Sequence, residues 1–85
     1  MLKLVTYDLH KPQKDYTLLF KALKTYNWAH PLGSVWFLKT NKSVSEIMEH
    51  LKQHTDADDR LIITTVTDWH ILRLDPAVVD WLKRK

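Results

Sequence analysis

Asp8 is the residue whose type and position point most directly to chemistry. It follows Leu4-Val5-Thr6-Tyr7, an apolar run typical of a β-strand. One interpretation is that this carboxylate holds a metal ion, since oxygen ligands suit Mg²⁺. The other is that Asp8 caps the turn leading to Pro12. The residues alone favour the turn cap.

The histidines offer a second set of chemical groups. His10 and His30 are candidates for a base or a phosphate contact, although single histidines more often lie on the surface or in packing. His50 and His54 stand four residues apart, the spacing of a metal pair on a helix. Because no third ligand accompanies them, a solvated helix face is the favoured interpretation.

Basic residues near the N-terminus are candidates for nucleic-acid binding. We predict phosphate contacts from His30 and from four lysines: Lys11, Lys14, Lys21 and Lys24. A solvated polar helix face is the alternative. The net charge of +3 permits nucleic-acid binding without requiring it.

Composition limits the remaining classes. A chain of 85 residues predicts one domain, residues 1–85, with a core over 1–67 and a C-terminal appendix over 68–85. The absence of cysteine excludes disulfides and thiolate zinc sites. No signal-peptide pattern or long apolar run is present, so we expect a cytoplasmic protein without a membrane span.

The elements that would position these groups follow from periodicity. Asp15 is the expected N-cap of a first helix, Ser43 and Glu46 form a capping box for a second, and Asp75-Pro76 begins a third. Residues 27–32 are interpreted as a turn or a short bent strand with a bulge. Strands are predicted at residues 1–7, 34–40, 60–67 and, as a short one, 69–74. This order predicts an α+β, ferredoxin-like (split βαβ) antiparallel sheet with two helices on one face.

Both faces of the predicted sheet are apolar. Val35 and Phe37 alternate with Trp36 and Leu38, where a sheet with one solvated face would alternate apolar with polar residues. Helices cover one face, so either a second copy of the chain or the chain's own C-terminal segment must cover the other. The homodimer is preferred, with an interface formed by Tyr7, Trp36 and Leu38.

The sequence resembles a known family over residues 2–67. The first strand ending in Val-Thr-Tyr-Asp-Leu, the segment Ser34-Val-Trp-Phe-Leu, Ser43 opening a helix, and Asp58-Asp-Arg-Leu-Ile leading into a strand are similar to CRISPR-associated protein two. They also resemble stand-alone relatives of that fold, including virulence-associated protein D ribonucleases.

The resemblance implies a homodimer in which the two sheets face each other. It also implies that the matching aspartate, Asp8, holds Mg²⁺ in nuclease members. His30 and Leu32 occupy the family's arginine and glutamine positions, and Trp36 its aromatic position. The segment Trp69–Lys85 matches the variable C-terminal part that contacts protein partners.

Two functional hypotheses follow. The first is a dimeric scaffold that binds nucleic acid or a protein partner. The second is a Mg²⁺-dependent endonuclease or endoribonuclease in which Asp8 of both subunits is catalytic. The first is preferred because the polar surroundings of Asp8 differ from the family pattern.

Overall fold

A computed structural model describes residues 1–10 and 16–84 of the protein. Four strands and three α-helices follow the predicted order, with one turn of 3-10 helix at Lys52–His54. Their bounds are β1 Leu2–Asp8, α1 Thr17–Leu23, β2 Asn27–Leu32, β3 Val35–Lys39, α2 Val44–Leu51, β4 Arg60–Val66 and α3 Pro76–Lys83. The predicted cap Asp15 and the predicted phosphate contacts Lys11 and Lys14 lie outside the described residues.

The strands form one antiparallel sheet in the order β2-β3-β1-β4. β1 is central: Val5 lies opposite Trp36 of β3 on one side and opposite Ile63 of β4 on the other. β1 and β2 are therefore parallel to each other with β3 inserted between them. This is the predicted split βαβ arrangement, and it confirms a ferredoxin-like α+β fold.

Local sequence explains where α2 and α3 begin. The Ser43 hydroxyl accepts from the Glu46 N–H at 3.1 Å, and Glu46 Oε1 accepts from the Ser43 N–H at 3.1 Å, so the predicted capping box is present. Asp75 Oδ1 accepts from the Ala77 N–H at 2.8 Å, with Pro76 in the first turn of α3.

Two segments of the chain, residues 27–32 and Trp69–Leu74, need comparison with the sequence predictions. Residues 27–32 form the bent strand β2, whose pairing with β3 shifts between Ala29 and Leu32 as a bulge would require. The short strand predicted over Trp69–Leu74 is wrong, because no strand lies between β4 and α3. Arg73 has φ 58°, a left-handed conformation that an extended strand does not contain.

One face of the sheet, here called the helix face, is covered by α1 and α2. Its buried strand residues are Val5, Trp36 and Leu38, and its helix residues are Leu19, Ala22, Leu23, Ile47 and Leu51. Trp36 is 1% exposed and Leu38 is fully buried within a single chain. The prediction that these two residues form a dimer interface is therefore corrected: they offer no surface to a second copy.

The opposite face, here called the second face, is covered in part by the chain's own C-terminal segment. Leu82 of α3 is buried against Ala29 and Phe37, with Val78, Trp81 and Ile71 packed around them. The intrachain alternative thus accounts for the part of this face near Phe37. Ile62 of β4, at the other end, stays 64% exposed.

None of the helices within the described residues has the length and apolar character needed to cross a membrane.

Candidate functional site

Asp8 lies at the end of β1 on the second face, since it alternates with Leu4 and Thr6 along the strand. In the strand register it lies opposite Arg60. Its carboxylate is exposed, and Oδ2 is 2.9 Å from His10 Nε2. His10 was considered only as a separate base, so sequence reasoning missed this pair, although their spacing of two residues at a strand end was the available signal.

The loop around His10 is fastened by Asp59. The His10 N–H donates to Asp59 Oδ1 at 2.9 Å, and the Tyr16 hydroxyl donates to the same oxygen at 2.8 Å. Asp59 Oδ2 accepts from the Asp56 N–H at 2.8 Å. Asp59, just before β4, therefore helps to position the Asp8–His10 pair.

A shallow depression of about 220 Å³ lies beside Asp8. It is lined by Thr6, Tyr7, Asp8, Arg60 and Ile62. One chain brings a carboxylate, an imidazole and a guanidinium to this place, which are groups able to contact a phosphodiester. We call it the Asp8 depression.

The fit of Mg²⁺ to this depression can be judged from the donors present. Among the described residues, no group of three or more His, Asp or Glu side chains lies close enough to hold a metal ion. Mg²⁺ takes oxygen ligands and is commonly held by one or two carboxylates together with substrate phosphates. Asp8 is a suitable oxygen donor, and it is the carboxylate that lines this depression.

The sequence-predicted basic residues do not gather at Asp8. Lys21 and Lys24 are exposed on α1, and Lys24 Nζ lies 5.3 Å from the centroid of the Trp28 ring. The His30 ring stacks on Trp36 at 4.0 Å with 14° between the planes. His30 is therefore on the helix face, opposite the face that carries Asp8.

Tyr7 belongs to the chain's own core as well. Its hydroxyl accepts from Trp36 Nε1 at 3.1 Å and donates to the Gly33 carbonyl at 3.1 Å. Its ring packs near Phe20 of α1 on the helix face. A half-buried tyrosine with both hydrogen-bonding roles filled inside one chain is a packing residue, so its predicted place in a dimer interface does not fit this geometry.

His50 of α2 and His54 of the following 3-10 turn lie next to each other and to Tyr26. His50 Nδ1 is 2.7 Å from the Tyr26 hydroxyl, and the His50 and His54 rings meet edge to face at 6.2 Å. Burial, with a further contribution from the Glu46 charge, raises the pKa of Tyr26 above its usual value. Tyr26 thus stays neutral and bonds His50, which is half-buried rather than fully solvated.

Lys39 fastens the C-terminal helix and was missed by sequence reasoning. Its Nζ donates to the carbonyls of Trp81 and Arg84 and lies 4.3 Å from the centroid of the Trp81 ring. Burial, followed by the Arg84 charge, lowers the pKa of Lys39. Trp81 Nε1 also donates to Asn27 Oδ1 at 2.9 Å. A lysine at the last carbonyls of a helix stabilises that end of the helix dipole.

The outer edge of β2 carries a second open site, here called the β2 groove. It has a volume of about 280 Å³. Aromatic and basic side chains line it together with small apolar ones: Trp28, Ala29, His30, Ala77, Val78, Trp81 and Arg84. Trp28 is 39% exposed, whereas Trp36 is only 1% exposed.

The strand order, the two helices on one face and the aspartate ending β1 define the class of protein. It is a ferredoxin-like α+β protein with an acidic group on the open part of its sheet. A comparison with family models gives the family: the one described as CRISPR associated protein Cas2 matches residues 1–73. The match covers most of the 85 residues, so the chain belongs to the Cas2 family, and the predicted resemblance is confirmed.

Proposed function

We propose that this Cas2 family member is a dimeric, nucleic-acid-binding subunit. The observation that supports it most is the grouping of Lys21, Lys24 and the exposed Trp28 on one side of the molecule. Within residues 1–10 and 16–84, neither lysine forms an ion pair with a carboxylate. Cations that are not paired with a carboxylate are available to phosphate oxygens, which is the sequence-independent part of nucleic-acid binding.

The proposed dimer uses the part of the second face that the C-terminal segment leaves open. Ile62 is 64% exposed there beside Thr6 and Asp8. Leu72, in the segment between β4 and α3, is 72% exposed. A second copy placed on this part would remove apolar surface from water and bring the two Asp8 carboxylates to the same interface. The expected contacts of Trp69–Lys85 with a protein partner also remain a proposal.

Nucleic-acid binding is tested by fluorescence anisotropy with labelled DNA and RNA at several salt concentrations. The double variant Lys21→Ala/Lys24→Ala should bind more weakly, and the salt slope should fall by roughly one unit per lost duplex phosphate contact. Lys52→Ala is the matched control, since Lys52 is exposed but paired with Glu49 at 3.0 Å. Equal affinities for the double variant and wild type would contradict the proposal.

The proposed dimer is tested by measuring the molecular mass in solution. Light scattering of wild type at micromolar concentration should give twice the chain mass, and Ile62→Asp should give a single chain with an unchanged circular dichroism spectrum. Thr67→Asp, an exposed change just beyond β4, is the control and should leave the dimer intact. A wild-type mass of one chain under these conditions would refute the dimer.

A Mg²⁺-dependent endonuclease is the second candidate, favoured by the Asp8–His10 pair in the open Asp8 depression. In it, Asp8 of both copies would hold the cation, which polarises phosphate and lowers the pKa of a bound water. His10, bonded to Asp8, could accept a proton, and Arg60 could contact the scissile phosphate.

The endonuclease candidate predicts cleavage of labelled RNA or duplex DNA with Mg²⁺ and none with a chelator. Asp8→Asn should abolish cleavage, whereas Asp80→Asn, an exposed aspartate on α3, should not. Cleavage that persists in Asp8→Asn would exclude this mechanism without affecting the proposed binding role.

A further inference from the structure

Trp28 is held in place although it is exposed. Its ring centroid lies 5.3 Å from that of Trp36, tilted by 49°, and Lys24 Nζ lies 5.3 Å from it on the α1 side. Trp36 is itself fixed between Phe20 and His30, at 6.0 and 4.0 Å between ring centroids. The exposed indole therefore rests on a buried aromatic stack, and its orientation is set before any ligand arrives.

A comparably exposed tryptophan lacks these surroundings. Trp69 is 37% exposed against 39% for Trp28. Within the part of the chain that the structure describes, Trp69 makes no ring contact and has no cation over its ring. Exposure alone thus does not distinguish Trp28; the combination of aromatic support and a neighbouring cation does.

Charges of one sign flank the β2 groove. Lys24 stands over Trp28 on the α1 side, and Arg84 lines the groove on the α3 side. The nearest acid along α3, Asp80, lines a separate depression with Lys83 and Arg84 and does not line the β2 groove. The groove therefore offers an aromatic floor between two cations.

We propose that the β2 groove binds single-stranded nucleic acid by stacking one unpaired base on Trp28, with Lys24 and Arg84 contacting the adjacent phosphates. This inference rests on the proposed nucleic-acid binding and specifies the form of nucleic acid. Stacking requires a free base face, which interior base pairs of a duplex do not present, and it tolerates any base because every base has a π-face.

The test compares affinities of wild type, Trp28→Ala and Trp69→Ala for fluorescein-labelled polythymidine and for a duplex of equal length at low salt. Stacking of one base is worth about 1–3 kcal/mol, so Trp28→Ala should weaken single-strand binding about 5- to 100-fold. Duplex binding should change less than about twofold. Trp69→Ala, the matched control, should change neither affinity.

A second measurement serves if Trp28→Ala does not fold. Base stacking on an indole quenches its emission, so adding polythymidine should quench the intrinsic fluorescence of wild type and Trp69→Phe. Trp28→Phe keeps an aromatic ring in the groove and should lose that quench. A quench that persists in Trp28→Phe would overturn the proposal.

The outcomes separate this inference from the function on which it rests. If Trp28→Ala weakens single-strand and duplex binding equally while its melting temperature matches wild type, base stacking is excluded and the proposed binding through lysines stands. If wild type retains no nucleic acid at low salt, both fail. If Trp28→Ala binds polythymidine as tightly as wild type but no longer binds a purified protein partner that wild type binds, the groove binds protein and the inference is overturned.

Discussion

The two faces of the sheet are similar in sequence but differ in how they are covered. The helix face buries Trp36 and Leu38 under two helices, and its buried cluster contains eight residues. Among the described residues, the second face buries Ala29, Phe37 and Leu82 under one short helix, and it leaves Ile62 exposed. The helix face thus holds the larger buried core, whereas the second face, with Asp8 at its end, is left partly open.

The largest effect expected from this comparison is at Leu38. Leu38→Ala leaves a cavity among side chains that two helices and the sheet hold in place, so the free energy of unfolding should fall by about 3–4 kcal/mol. Urea denaturation followed by circular dichroism measures it. A loss below about 1 kcal/mol would mean that the helix face is not the main core.

A leucine-to-alanine change on the second face should lower the free energy of unfolding by less. Leu82 lies under a single layer near the end of α3, where the helix can shift to close a cavity, so Leu82→Ala should cost about 2 kcal/mol. The two leucine variants are measured side by side in urea. If Leu82→Ala costs as much as Leu38→Ala, the faces do not differ as described.

Helix caps give a finer comparison. Ser43→Ala and Asp75→Ala each remove one capping bond, worth about 1 kcal/mol. Loss of the capping bond at Ser43 should lower the global free energy of unfolding, because α2 is part of the main core. Loss at Asp75 should mainly speed amide hydrogen exchange within α3, about fivefold, because a thinly packed helix opens on its own. Equal exchange changes across the whole sheet in both variants would show one cooperative unit.

A pH dependence of the helix face is also expected. Hydrogen bonds from the Ser43 N–H and hydroxyl lower the pKa of Glu46 below its ordinary 4.5. A carboxylate with a lowered folded pKa contributes stability above its unfolded pKa and loses it as the pH falls below 4.5. Urea midpoints at pH 7 and pH 3 should therefore differ less in Glu46→Gln than in wild type. An unchanged pH dependence in the variant would rule out this contribution.

Periodicity and capping predicted most of the fold. The Ser43 capping box, the Asp75-Pro76 helix start and the order of strands follow from local chemistry, and the structure has each of them. Pro31, which cannot donate to a strand ladder, left a turn and a bent strand with a bulge open for residues 27–32, and the structure has the bent strand. Alternation also showed that Trp36 and Phe37 point to opposite faces.

Alternation could not show which face the helices would take. Trp36 and Leu38 were therefore assigned to a dimer interface, while the structure buries them under α1 and α2. The short strand expected at Trp69–Leu74 failed for a related reason. Its apolar residues reflect packing of Ile71 on the second face, which β-propensity does not distinguish from strand pairing.

The candidate sites were predicted only in part. Asp8 stood out because a charged residue ended an apolar strand, but its bond to His10 depends on how the loop is fastened to Asp59, 49 residues from His10. The β2 groove depends on contacts between β2 and α3 that no local pattern encodes. The position of Trp28 in this groove also depends on its contact with Trp36 of the neighbouring strand.

The central position of β1 has a consequence for biosynthesis. β1 is translated first, yet one of its two partners, β4, begins only at Arg60, about 50 residues after Asp8. At 5–20 residues per second, the nascent strand waits roughly 3–10 s before that edge can pair. Because pairing between segments so distant in sequence slows folding, the β1–β4 edge should be among the last parts of the sheet to form.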